Sequence, residues 1–271
     1  MAPVSSTFEG GRPLWLGRLG NVRNVVRQEL IARQLDRHLP AHPVRILDVG
    51  AGQGTQSHRL ARAGHRVVSV EPDTDMRAAF ERALRDEPDS VRERVELRAG
   101  GVGDLAAVAA GETYDAVLLL GVLMYLPAGP PVIAELARHV APGGFLALAA
   151  RTTTSALWRP AARQDWTAAL AAFDEYDAAR GERRDMRYRN EIGTPARADD
   201  FDDLTAAAAE HGLRLENWYG VRIAVDAEEL DPPPPADSVQ LAALLDVEER
   251  LGATDPYRQL GQLAHLILRR A

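Results

Sequence analysis

Arg45-Ile46-Leu47-Asp48-Val49-Gly50-Ala51-Gly52-Gln53-Gly54-Thr55 reads as a buried strand that ends in an acid and runs straight into glycines at alternate positions. Apolar Ile46, Leu47 and Val49 suit a central parallel strand, which is covered on both faces. The glycines let the backbone turn sharply and lie against a ligand with no side chain in the way. Helical patterning resumes from Thr55 to Arg62, so the loop opens onto the free N–H groups of a helix N-terminus. The spacing separates two ligand classes. A dinucleotide fingerprint needs G-x-G-x-x-G, but counting from Gly50 the third glycine falls one place early, at Gly54. Thr55 holds the position it should fill.

Downstream residues extend the same sheet. His65-Arg66-Val67-Val68-Ser69-Val70-Glu71 is a second strand with its acid at the C-terminal end. Glu71 lies about 20 residues after the glycines, where a nucleotide-binding sheet places the carboxylate that accepts the ribose hydroxyls. Pro72, Asp73 and Met76 follow as the start of a helix. Further strands are Val95 to Arg98, the strongly apolar Tyr114 to Leu120, and Phe145 to Ala149 after the turn Ala141-Pro142-Gly143-Gly144. Five strands alternating with helices predict an α/β, doubly wound sheet. The pattern hydrophobic-Asp-hydrophobic-Gly-x-Gly-x-Gly resembles motif I of the class I S-adenosylmethionine-dependent methyltransferases. Asp115-Ala116-Val117 at the fourth strand and the Pro-Gly-Gly turn before the fifth are similar to the rest of that core.

That resemblance implies a Rossmann-like fold and S-adenosylmethionine as cofactor, lying across the C-terminal ends of the first two strands. Gly50, Ala51, Gly52 and Gln53 are then expected at its methionine part, with Asp48 ordering the loop and Glu71 on the ribose. Pro72 and Met76 would flank the adenine, whose edge is read by Val102, Gly103 and Asp104. Leu120 would close the site at the fourth strand. Arg23, on a helix covering the loop, has two readings: it reaches the cofactor carboxylate, or it is an exposed helical arginine.

Composition bounds the rest. The 271 residues, 46% hydrophobic, suffice for one large α/β domain with an appendage. No apolar run approaches the roughly 18–20 residues of a membrane span, and Met1 to Arg12 lacks a signal-type apolar core, reading instead as a mobile arm. Cysteine is absent, which excludes disulfides, thiolate zinc sites and a cysteine nucleophile and fits the cytoplasm. All 32 basic residues are arginine, which excludes a lysine Schiff base. The 7 histidines are scattered, and His38 and His42, the two at i,i+4, are separated by Pro40, so no metal is expected. A net charge of −7 argues against a uniformly basic nucleic-acid binder.

The chain divides into four parts. Residues 1–43 form the arm and a covering helix, with Val22, Val25, Val26, Leu30, Ile31, Leu35 and Leu39 at helical spacing. Residues 44–151 are the cofactor-binding core. Residues 152–198 lack strand character and hold Trp158, Trp166, Phe173, Tyr176 and Tyr188, which predicts a helical cap over the strand ends. Residues 199–271 supply an amphipathic helix from Asp199, a long strand over Leu213 to Val225, a helix from Asp237 to Leu251 and a last strand over Leu263 to Leu268. Two closing strands complete the seven-stranded, mostly parallel sheet that the resemblance implies, with the last strand inserted antiparallel.

The resemblance narrows further at several places. Gly20-x-x-Arg23 with Gln34-x-Asp36-Arg37, Gly220-Val221-Arg222 with Asp226, and Asp255-Pro256-Tyr257-x-x-Leu260-Gly261 with His265 are similar to the bacterial tRNA 5-carboxymethoxyuridine methyltransferases. Members of that family methylate the carboxylate of a modified wobble uridine. Departures fall near the expected acceptor: a family His-x-x-Leu-Glu-Trp is Leu120 to Tyr125 here, a Tyr-Asn pair is Arg151-Thr152, and an Arg-Tyr pair is Gln262-Leu263. Three functions stand: methyl transfer to an acidic acceptor, the wobble-uridine carboxylate among them; a small-molecule O- or N-methyltransferase of secondary metabolism; or a non-catalytic methyltransferase-like protein that binds partners, against which the intact Asp48, glycine loop and Glu71 count. An ionised carboxylate needs no general base, and Leu120 to Tyr125 offers none, so no catalytic base is expected. Tyr125, Arg151, Arg222 and His265 are the acceptor-binding candidates, the arginines because forked donors engage both carboxylate oxygens. Arg222 reads equally as a structural partner of Asp226, and Arg151 as an exposed residue. The window Arg180 to Arg197, with Tyr188 able to stack on a base, reads as an RNA contact or as a loop of internal ion pairs.

Overall fold

The computed structural model describes residues 12–109, 111–226 and 231–271. The arm expected over Met1 to Arg12 lies outside these up to residue 11. Two helices come first, α1 (Arg12–Gly17) and α2 (Val22–Asp36). The core then alternates β1 (Arg45–Val49), α3 (Thr55–Arg62), β2 (Arg66–Glu71), α4 (Thr74–Arg85), α5 (Asp89–Arg92), β3 (Val95–Ala99), α6 (Leu105–Val108), β4 (Tyr114–Leu120), α7 (Gly129–Ala137) and β5 (Val140–Ala150). An insertion follows, made of α8 (Thr153–Ala162), α9 (Trp166–Glu182), β6 (Met186–Arg189) and β7 (Pro195–Ala198). The chain closes with α10 (Phe201–Glu210), β8 (Leu213–Val221), α11 (Ser238–Ala253) and β9 (Leu263–Arg270).

Seven strands form one sheet in the order β3-β2-β1-β4-β5-β9-β8. The pairs from β3 through β5 are parallel, whereas β9 runs antiparallel to both β5 and β8. Alternation along β1 explains the three layers. Ile46 and Leu47 point to opposite faces, each fully buried. Ile46 joins Val26 and Leu30 of α2, Leu60 of α3 and Leu245 of α11. Leu47 joins Ile133 and Leu136 of α7 and Leu204 of α10. A strand covered by helices on both sides must be apolar at every position, which is why β1 and β4 carry near-continuous aliphatic runs.

Boundaries differ from the sequence expectation in several places. The sixth strand of the large sheet ends at Val221, so Arg222 sits in the turn beyond it with φ of 64°. The covering helix stops at Asp36, and the last strand runs on to Arg270. The cap is not purely helical, because β6 and β7 pair antiparallel from Met186↔Ala198 to Arg189↔Pro195. These four-residue strands are rich in arginine and show no apolar alternation, so their pattern masks them.

The cap at the start of α4 gives a measurable test. Asp73 accepts from the N–H groups of Asp75 and Met76, both at 2.9 Å. Asp73→Ala is expected to cost about 1 kcal/mol of stability, read by urea unfolding.

Candidate active site

The C-terminal ends of β2, β1 and β4 open into one cavity that continues under the cap hairpin to the start of β9 and the turn after β8. Its floor is the glycine loop. The N–H groups of Gly50 and Ala51 both donate to the Val70 carbonyl, at 2.8 and 3.2 Å, tying the loop to β2. Gly50 has φ of 71°, and a Cβ there would lie 2.5 Å from Val122 Cγ2. Gly54, at φ of 87°, starts α3, and its Cβ would meet His58 Nε2 and the Phe80 ring at 2.7 Å. Both positions therefore require glycine.

Glu71 is buried, and both its oxygens receive backbone hydrogens. Oε2 accepts from Gly52 N–H at 2.8 Å and Oε1 from Asp73 N–H at 2.9 Å. Each oxygen keeps a second lone pair for a ligand hydroxyl. Burial, offset by those two hydrogen bonds, raises its pKa. Asp48 also lines the cavity, but its Oδ2 accepts from Ser57 Oγ of α3 at 2.6 Å, so it ties β1 to α3 and makes no bond to the loop backbone.

Burial pushes the Asp48 carboxyl up to about 6, against the opposing Ser57 hydrogen bond. An acid whose folded pKa is raised costs stability only while it is ionised. The cost is absent below about pH 4 and complete above about pH 6. Asp48→Asn is therefore expected to stabilise the cofactor-free protein by about 2 kcal/mol at pH 7.5 and to leave it unchanged at pH 4, measured by paired urea melts.

Most residues expected at the cofactor line the cavity: Gly50, Ala51, Gly52, Gln53, Glu71, Pro72, Met76, Val102 and Leu120, along with Arg23. Two do not. Asp104 accepts from Gly101 N–H at 2.9 Å and so caps the short turn Val102–Asp104, and neither it nor Gly103 faces the cavity; Gly101 and Val102 form that wall. Arg23 is buried against Asp226 at 3.3 Å and donates to the Val225 carbonyl, so both sequence readings of it miss this pairing.

Arg27, one helical turn after Arg23, was not among the sequence candidates. It lines the cavity with 9% exposure, stacks on the Trp15 ring at 4.3 Å, and its Nη1 would lie 3.3 Å from a Cβ on Gly121. Its Nε is buried without a hydrogen-bond partner, and desolvation lowers its pKa to about 10. A buried guanidinium with an unmet donor beside the end of β4 is prepared for an anion. The i,i+4 spacing from Arg23 was the available signal.

The acceptor candidates separate. Tyr125 lines the cavity, its hydroxyl accepting from Asn190 Nδ2 at 3.0 Å, and burial raises its pKa. Arg222 also lines it, paired with Asp226 at 2.7 Å and Glu191 at 3.1 Å. Arg151 does neither of the things expected of it. It is buried at 3% exposure behind the Tyr188 ring, 4.9 Å from the ring centroid, which walls it off from the cavity. His265 is fully buried in β9 with Nδ1 2.7 Å from Gln34 Oε1, and desolvation pushes its pKa to about 3. It holds α2 to the sheet; Gln262 and Leu263 face the cavity in its place.

The basic window is mostly spent on internal pairing. Arg184 bonds Glu175 and Glu182, Arg197 bonds Asp185 and Asp199 at 2.8 and 2.6 Å, and Arg180 bonds the Tyr176 hydroxyl. Tyr188 faces inward to the cavity and is not presented to an external base. Asn190 and Glu191, at the tip of the same hairpin, are further cavity residues that the sequence pattern did not mark.

S-adenosylmethionine fits these residues: a glycine cradle with no room for side chains, a carboxylate with spare lone pairs, and a buried cation without a hydrogen-bonded anion. Comparisons with known proteins agree. Residues 47–148 match the family described as a methyltransferase domain. The chain is 33% identical over 198 residues to a ubiquinone biosynthesis O-methyltransferase of Xanthomonas axonopodis pv. citri (strain 306), covering 73% of this chain and 72% of that protein. The corresponding enzyme of Xanthomonas euvesicatoria pv. vesicatoria (strain 85-10) is 30% identical over the same shares. In fold, the chain is similar to magnesium protoporphyrin IX methyltransferase from Synechocystis PCC 6803 with bound S-adenosylhomocysteine. That match has a TM-score of 0.60 at 14% identity, over 97% of this chain and 95% of that one. A possible histamine N-methyltransferase from Thermotoga maritima gives 0.57 at 14% identity, over 98% of each chain.

Proposed function

Because the chain belongs to the class I S-adenosylmethionine-dependent methyltransferases, we propose that it methylates an oxygen of a small acidic acceptor. The observation that carries this reading is the far end of the cavity. It is roofed by the hairpin of β6 and β7, walled by Trp15, Tyr125 and Tyr188, and lined by Arg27 and Arg222. Aromatic walls under a roof suit a small planar molecule, and guanidiniums suit an anionic group on it. The ubiquinone biosynthesis O-methyltransferases among the relatives support oxygen as the atom methylated.

When bound, S-adenosylmethionine supplies a methyl group already activated on its sulfonium. The protein's own part is to align and to dry. Arg27 would take the cofactor carboxylate in place of Arg23, Glu71 the ribose hydroxyls, and Met76 and Pro72 the adenine faces. Tyr125, held by Asn190, would set the acceptor wall beside Gly121. An ionised acceptor oxygen needs no base, in keeping with a fourth-strand end that carries no carboxylate or histidine.

The wobble-uridine carboxylate of tRNA is the second reading, favoured by Arg222, which lines the cavity and belongs to the Gly220-Val221-Arg222 stretch that resembles the tRNA-modifying family. Against it stand the inward Tyr188 and the self-paired basic window. Incubation with methyl-labelled cofactor, offered undermodified tRNA in one arm and a small-molecule extract in the other, tests both. Label in acidic small molecules is the expected result. Label in tRNA alone would overturn it.

A further inference from the structure

At the seam between cap, covering helix and sheet, four guanidiniums meet two carboxylates. Arg222 grips Asp226 through Nε and Nη2, at 2.7 and 2.8 Å, and Glu191 through Nη1 and Nη2, both at 3.1 Å. Arg159 reaches Glu191 at 2.7 Å and Asp226 at 2.9 Å. Arg163 and Arg23 complete the ring around Asp226 at 3.4 and 3.3 Å. Among the described residues, Arg159 Nε is buried there with no hydrogen-bond partner. A buried donor without a partner is costly, and a further anion meets it.

The two carboxylates differ in how they are held. Asp226 is 6% exposed and belongs to the turn following β8. Glu191 lines the cavity from the tip of the cap hairpin, in a turn closed by Asn190 N–H to the Thr194 carbonyl at 3.0 Å. Among the described residues its carboxylate bonds only to these arginines, whereas its backbone carbonyl is held separately by Arg18 Nη1 at 2.8 Å. The carboxylate can therefore leave Arg222 while the hairpin stays attached.

Building on the acidic-acceptor reading above, we propose that Arg222, backed by Arg159, is the subsite for the acceptor's anionic group, and that Glu191 fills it as an internal surrogate until the acceptor arrives. An incoming carboxylate exchanges with Glu191 on Arg222. The hairpin tip is then released from one of its holds, coupling acceptor entry to movement of the roof. Neutral molecules of the same shape lack the charge to displace Glu191, so the surrogate also rejects them. Specificity then comes from a competitor built into the site as well as from attraction.

The test uses the full chain saturated with S-adenosylhomocysteine, with benzoate as the anionic probe and benzyl alcohol as its neutral counterpart. Hydrogen exchange over residues 186–198 of the unaltered protein is expected to quicken about fivefold on adding benzoate and to stay constant with benzyl alcohol. Glu191→Gln is expected to bind benzoate about tenfold more tightly than the unaltered protein by calorimetry. Slower or unchanged exchange with benzoate overturns the proposal, as does equal, weaker or absent binding in a folded Glu191→Gln. If that variant does not fold, the exchange measurement decides alone. Failure of the acidic-acceptor reading looks different: label enters only neutral metabolites in the methylation assay, whatever benzoate does. Failure of the surrogate alone leaves acidic products in that assay and the anion held elsewhere, at Arg27.

Discussion

Glu71→Ala is expected to weaken S-adenosylmethionine binding by about 100-fold or more while leaving the protein folded. A hydrogen bond to a charged group contributes about 1.5–3 kcal/mol, and each 1.4 kcal/mol is about a tenfold change in affinity. In the proposed site the Glu71 carboxylate would receive two ribose hydroxyls, and it already holds the Gly52 and Asp73 N–H groups. Its loss removes the ribose contacts and unties the glycine loop from the end of β2. Fold stability should change little, because burial already disfavours the ionised form and raises its pKa. Calorimetric titration with S-adenosylhomocysteine reads the effect directly. Unchanged affinity would remove Glu71 from the cofactor site.

The largest loss of stability is expected from Asp226→Asn. The amide keeps the shape of the side chain and deletes a charge that Arg222, Arg159, Arg163 and Arg23 all approach. Leaving buried charge uncompensated costs about 3–5 kcal/mol. For a domain of this size that lowers Tm on the order of 10 °C. The pH dependence has a definite sign. Burial alone would raise the Asp226 carboxyl, but Arg222 and Arg159 outweigh it and hold it below its ordinary value; Glu191 is likewise held well below. Depressed carboxyls contribute stability that is present above about pH 4 and is lost as pH falls through their folded values. Asp226→Asn should therefore unfold more easily at neutral pH and show a shallower acid transition. Thermal melts of both proteins from pH 3 to 7.5 check this.

The cofactor half of the molecule was legible because its chemistry is local. A strand, a glycine loop, a helix start and an acid about 20 residues on all follow from short-range pattern. The sheet of seven strands and its antiparallel insertion came from the family resemblance, since alternation along a strand does not give its neighbours or direction. The acceptor half was not, because its parts come from distant segments. Arg27 and Glu191 face one cavity from segments far apart in the chain, and Glu191 stands in a hairpin whose charged strands carry no apolar period. Arg151 and His265 were misplaced for a related reason. A polar residue at a strand end points toward the ligand or into the packing, and register alone decides which. For Arg151, the Tyr188 ring supplied from the cap closes the way. Arg222 was placed one element early because the apolar run continues through Ile223 and Val225, while the backbone has already turned.

The position of β9 sets an order of events during synthesis. β8 stands at the sheet's margin and has a single neighbour, β9, which itself lies between β8 and β5. As a nascent chain emerges, β1 to β5 can pair among themselves, since each finds its neighbour in segments already made. β8 cannot join them. It must wait until residues 263–270 have left the ribosome, and β5 meanwhile presents an open margin. At about 5–20 residues per second, the interval from the end of β5 to β9 is on the order of 6–25 seconds. During that interval the half-built sheet is the form of this protein most exposed to wrong pairing.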